Sequence, residues 1–125
     1  MTGQYPDSWA SLRFPNQRAE LVFYLRDCCD PHHYLDSDEV HFDVHFFFDD
    51  HDFADDPMGM IGAVLFDDVE VAAMTRLVRA YKAAIGPGQR MPDVGHIDWA
   101  AVVEAAKAAY ALILQRGEPV PVPGG

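Results

Sequence analysis

From Val40 to Phe48 every even-numbered position is apolar, and the odd positions open with His41, Asp43 and His45. A period of two is the spacing of an extended strand, whose side chains alternate between faces. It predicts a β-strand with Val40, Phe42, Val44, Phe46 and Phe48 towards a core and His41, Asp43 and His45 away from it. A strand with one apolar face needs a covering layer, so this feature constrains the fold more than any other. After an acidic loop, Met60-Ile61-Gly62-Ala63-Val64-Leu65-Phe66 forms a short apolar run that fits a second, more buried strand, and the two would pair as an antiparallel hairpin.

The cover comes from helices. Pro15 suits a first helical position, and Leu21, Val22, Leu25 and Cys28/Cys29 recur at three- and four-residue spacing, with Gln17, Arg18, Glu20 and Asp27 between them. This predicts a helix over 15–29, stopped by Asp30-Pro31. Asp67-Asp68 offers a cap for a second helix over 68–85. Its apolar stripe of Val71, Met74, Leu77/Val78, Tyr81 and Ile85 lies opposite Glu70, Arg76, Arg79 and Lys82, and Gly86-Pro87-Gly88 ends it. Asp98 caps a third helix over 98–116, with Val102, Val103, Ala106, Tyr110, Ile113 and Leu114 on its buried side. The expectation is an α+β fold in the order α-β-β-α-α, a small antiparallel sheet of at least two strands packed on about three helices. Residues 1–14 read as an irregular arm, 15–117 as a single domain, and 118–125 as a mobile Pro/Gly tail.

Charge is distributed unevenly along the chain. Of 20 acidic residues, fourteen lie between Asp27 and Val71, and none of the nine lysines and arginines does. A one-sided negative field of this kind repels nucleic acid and attracts a basic protein, with Asp43, Asp49, Asp50, Asp52, Asp55 and Asp56 as the candidate docking surface. A second copy of the chain stays open as a partner. No apolar run approaches the roughly 20 residues of a membrane span, and the N-terminus shows no basic-then-apolar leader, so neither a membrane partner nor export is expected and the location is read as cytoplasmic. Cys28 and Cys29, the only cysteines, are adjacent, a spacing that strains a disulfide, and are read as reduced thiols.

Motifs for catalysis are missing. Ser8, Ser11 and Ser37 lie in no Gly-x-Ser-x-Gly elbow, and Gly59-Met60-Ile61-Gly62 precedes a strand-like run with no Lys-Ser/Thr after it. Asp50-His51-Asp52-Phe53-Ala54-Asp55 lacks the spacing and mid-loop glycine of an EF-hand. No catalytic residue is assigned and no cofactor is expected. The alternative is a protein that binds a divalent transition metal, or a metal-dependent enzyme, through the strand face. On a strand His41, Asp43 and His45 would project to one side about 7 Å apart, and two imidazoles with a carboxylate suit zinc or nickel, with His32, His33, His51 and Asp49, Asp50 and Asp52 nearby.

From about Arg18 to Leu112 the chain resembles a small family of acidic actinobacterial proteins with no assigned activity. The likeness rests on Asp43-Val44-His45-Phe46-Phe47-Phe48-Asp49-Asp50, Asp55-Asp56-Pro57 with Ile61-Gly62, Leu65-Phe66-Asp67-Asp68-Val69-Glu70-Val71-Ala72-Ala73-Met74 with Leu77-Val78, and Trp99 with Val102-Val103-Glu104-Ala105-Ala106. It implies one intact domain and transfers no catalytic residue. Size, acidity and the absence of catalytic motifs are also like those of bacterial immunity proteins, which neutralise a basic toxin by covering it. The functional expectation is therefore a non-catalytic binding module for a basic protein.

Overall fold

The computed structural model describes residues 12–50, 53, 55–85 and 97–116, and for Asp49 and Asp50 the backbone only. Most of the arm, the loop after Ile85 and the tail from Gly117 lie outside the described residues. Among the described residues four helices carry the fold: α1 (Pro15–Cys28), α2 (Ser37–Val44), α3 (Asp68–Ile85) and α4 (Ala100–Leu114). Helix α4 packs against both α1 and α3. Its contact face is Val102, Val103, Ala105, Ala106, Ala109 and Ile113, whose small side chains let neighbouring backbones approach closely.

The three helices expected from apolar spacing form where the spacing places them. Pro15 opens α1, and Leu21, Val22, Leu25 and Cys28 are its buried stripe. The carboxylate of Asp67 accepts the Glu70 N–H at 3.1 Å, so Asp67 caps α3, and Asp98 accepts from Ala100 N–H at the start of α4.

The expected sheet is overturned: among the described residues there is no strand, and the fold is helical rather than α+β. Residues 37–44 are helix α2, and His45–Asp50 continue it as a π-helical turn. The physical reason lies at Asp36, whose carboxylate accepts the Asp38 N–H at 2.9 Å and fixes a helix start, with Asp38 and Glu39 in the first turn where the helix dipole favours acids. Helical phase then puts Val40, Asp43 and Val44 inside and turns Phe42 outward at 54% exposure, inverting the alternation at two positions. In the wider π turn that follows, three consecutive rings, Phe46, Phe47 and Phe48, are all buried.

The second expected strand is a compact loop. After a 3₁₀ turn (Pro57–Met60) the Met60 carbonyl accepts N–H groups from Ala63, Val64 and Leu65, and Gly62 N–H donates to Leu65 O. Gly62 takes φ +87°, a left-handed conformation that side chains strain, so glycine is what allows the chain to double back here. Gly62 O and Ala63 O accept from Arg13 and Phe14 N–H groups at 2.9 Å, which satisfies a backbone whose Ala63, Val64 and Leu65 side chains are buried.

Two polar clusters run through this core. Arg18 and Glu70 are both fully buried and meet bidentately, Nη1 to Oε1 at 2.8 Å and Nη2 to Oε2 at 2.9 Å. Arg18 also donates to Val64 O and lies 3.8 Å over the Phe66 ring, tying α1 to the doubled-back loop and to α3. The Glu70 carboxylate further accepts Phe66 N–H and the half-buried Arg116 guanidinium. Sequence spacing had set both residues on polar faces. The second cluster surrounds Asp43.

Candidate functional site

Helix α1 ends at Cys28, and Asp30 begins a 3₁₀ turn (Pro31–Leu35) by accepting the His32 N–H at 3.0 Å. That turn reverses the chain and leads into α2, which brings Cys28, His33 and Asp43 together from three consecutive elements. The Asp43 Oδ2 atom lies 2.6 Å from His33 Nε2 and accepts from the Tyr81 hydroxyl of α3 at 2.9 Å and from the Cys28 thiol at 3.5 Å. Oδ1 of the same carboxylate is buried and has no hydrogen-bond partner among the described residues. One ligand atom from each of Cys28, His33 and Asp43 lies within 4.8 Å of the others.

Aromatic rings close this cluster from behind. Tyr34 donates to the Cys28 carbonyl at 2.6 Å and stacks on Trp99 with centroids 4.6 Å apart, and Trp99 in turn meets the Tyr81 ring edge at 5.5 Å. Burial raises the Cys28 thiol well above its ordinary pKa and the Asp43 charge adds to this, so the thiol is protonated. Burial, with Cys28 and Asp43 close by, pushes both Tyr34 and Tyr81 far up as well. For His33 burial acts to lower the imidazole pKa, but the hydrogen bond and charge of Asp43 outweigh it and the net direction is up.

His33 also forms part of an open groove of about 650 Å³ lined by Arg26, Asp27, Asp30, His32, His33, Asp36 and Glu39. Four carboxylates face a single guanidinium there, and Arg26 is itself 3.7 Å from Asp27. Leu35, next to Asp36, is 69% exposed.

The residues expected to form a metal face are divided. His41 and His45 stand one helical turn apart on the exposed side of α2, with their Nε2 atoms 2.9 Å apart. Asp43 points the other way into the core, because residues two apart on a helix do not share a face. For the same reason Asp43 does not belong to the acidic surface. Of the other acids assigned to it, Asp55 and Asp56 are exposed, Asp49 and Asp50 end the π turn, and Asp52 lies outside the described residues. Sequence reasoning missed Cys28, His33 and Asp43 as a unit. The available signal was Asp36-x-x-Glu39, an N-terminal capping pattern that sets a helical phase with Asp43 inward.

No family model matches the chain, and neither a curated protein nor a solved structure matches it. Among the described residues no helix is long and apolar enough to cross a membrane.

Proposed function

We propose that the protein is a non-catalytic binding module that takes a basic segment of a protein partner into the groove between the end of α1 and the start of α2. The observation that carries this reading is the groove lining itself: Asp27, Asp30, Asp36 and Glu39 against Arg26 and two imidazoles, with an exposed Leu35 next to Asp36 in the chain. Clustered carboxylates around a concavity focus a negative field and speed encounter with a basic partner, while an exposed apolar side chain beside them gives that partner a desolvated contact. A binding role is also favoured by the state of the nearest thiol, since a protonated and fully buried Cys28 is a poor nucleophile.

The test is capture from the native host at low and moderate salt, with Asp27→Lys plus Glu39→Lys as the comparison. The double variant keeps the capping hydrogen bonds of Asp30 and Asp36, and circular dichroism together with Asp27→Lys alone controls for the loss of Glu39 from the first turn of α2. A basic protein held by the parent at low salt, released as salt rises, and bound about tenfold more weakly by the variant is the expected outcome. Retention of the same partner by the charge-reversed variant would remove the groove from consideration.

A further inference from the structure

We infer that Cys28, His33 and Asp43 form a binding site for one borderline divalent transition ion, with zinc the best match. A thiolate, an imidazole and a carboxylate are the three donor types zinc takes, and a tetrahedral ion with bonds of about 2.0–2.3 Å holds its ligand atoms about 3.3–3.8 Å apart. The three donors here already lie within 4.8 Å of one another, without an ion between them. They come from the last residue of α1, the 3₁₀ turn and α2, so an ion would add metal bonds across three elements already joined by short turns and by the hydrogen bonds of Asp43.

The independent observation is the orphaned Oδ1 of Asp43. A buried carboxylate normally has its lone pairs satisfied, yet here Oδ2 collects three contacts and Oδ1 has none among the described residues. The short distances to Cys28 Sγ and His33 Nε2 run from Oδ2, so an ion taking these donors replaces those two contacts. The unused lone pairs of Oδ1 leave the carboxylate a second oxygen to offer, and Tyr81 still holds the group. Around the donors stand the supports that metal ligands require: Tyr81 orients the carboxylate, and Tyr34 holds the Cys28 backbone carbonyl. His33 belongs both to the cluster and to the acidic groove, which concentrates cations at the approach.

Binding balances in charge and protons. The ion forms bonds to Cys28 Sγ, to one His33 ring nitrogen and to an Asp43 oxygen, and the thiol proton and any second imidazole proton leave to solvent. Thiolate and carboxylate then neutralise the two positive charges of the ion, so a neutral unit is buried.

The experiment is titration of the full chain, stripped with chelator, with cobalt(II) as the optical probe and zinc as competitor. The expected result is one equivalent of cobalt with a thiolate-to-cobalt charge-transfer band and tetrahedral visible bands, both displaced by zinc. Cys29→Ser should keep the charge-transfer band and Cys28→Ser should lose it, with helical circular dichroism recorded for both. Tyr81→Phe should weaken binding about tenfold. Absence of a thiolate band in the parent overturns the inference whatever the variants do. So does a band that survives Cys28→Ser, or binding that disappears only in His41→Ala plus His45→Ala, which would assign the ion to the exposed histidine pair.

Discussion

Glu70 and Asp43 are both carboxylates sealed from solvent, and the protein treats them in opposite ways. Both oxygens of Glu70 are taken: Oε1 by Arg18 and the Phe66 N–H, Oε2 by Arg18 and Arg116. Among the described residues Asp43 meets no lysine or arginine. Its partners are an imidazole, a phenol and a thiol, all crowded on one oxygen. A fixed guanidinium in bidentate geometry makes a permanent tie between elements. Uncharged or titratable partners crowded on one oxygen, with the other oxygen left open, make a place where a cation can be taken up. The difference separates a buried charge that holds the fold from one that is available for chemistry.

The largest effect is expected at the first of these. Glu70→Ala should destabilise the protein by about 3–5 kcal/mol, because it leaves Arg18 buried without its countercharge. Urea denaturation would measure it. Arg18→Met combined with Glu70→Leu should recover most of the loss, since an apolar pair of similar volume leaves no stranded charge. A single variant costing under about 1 kcal/mol would mean that water reaches Arg18 and that the contrast with Asp43 is overstated.

Asp43→Asn should cost less in metal-free protein, about 1–3 kcal/mol, because the amide keeps a polar contact to Tyr81 while losing the charged one to His33. If it costs as much as Glu70→Ala, Asp43 is a structural tie after all. Metal added to the parent should widen the gap between parent and Asp43→Asn by ligand linkage, whereas it should leave the Glu70→Ala loss unchanged.

The smallest effect concerns the half-buried rim of the Glu70 cluster. Burial acts to raise the Asp67 carboxyl, but the hydrogen bond from Arg116 and the capped N–H of Glu70 prevail and hold it below its ordinary value of 3.8. A folded-state pKa below the unfolded one contributes stability that is complete above the unfolded value and is lost as pH falls through the folded value. Asp67→Asn should therefore lower stability slightly at neutral pH and flatten the acid limb below about pH 4, read from thermal melts across pH. An unchanged acid limb would show that Arg116 is merely solvated beside it.

Much of this was legible in the sequence, and each failure has its own physical cause. Helices α1, α3 and α4 follow from apolar spacing and from caps at Asp67 and Asp98. The pair at the heart of the first cluster was also within reach: Arg18 stands on the Leu21, Leu25, Cys28 stripe, and Glu70 stands one turn before Met74 and two before Leu77. Opposite charges on two apolar stripes are a buried ion pair in outline, but charge was taken as a mark of the outer face. In 40–48 alternation competed with the helix start at Asp36. The helix won because a capped, acid-led turn satisfies its own backbone locally, whereas an edge strand needs a partner, and the run at 60–66 folds on itself around Gly62 instead of supplying one. With the strand went the face that His41, Asp43 and His45 were to share. The site that exists could not be read from spacing, since Cys28, His33 and Asp43 meet through a chain reversal.

The π turn at His45–Asp50 has a consequence for how this segment can vary. Each turn of such a helix holds about one residue more than an α-turn, so the rod runs in one angular phase up to Val44, where Asp43 is inward, and in another by Phe48. Deleting a single residue between His45 and Phe48 would remove the extra residue that lets three consecutive rings lie inward and would displace Phe46, Phe47 or Phe48 from its place against Tyr24, Phe53 or Tyr81. Exchanging one aromatic for another there would leave the phase intact. Length, more than side-chain identity, is what this stretch has to keep.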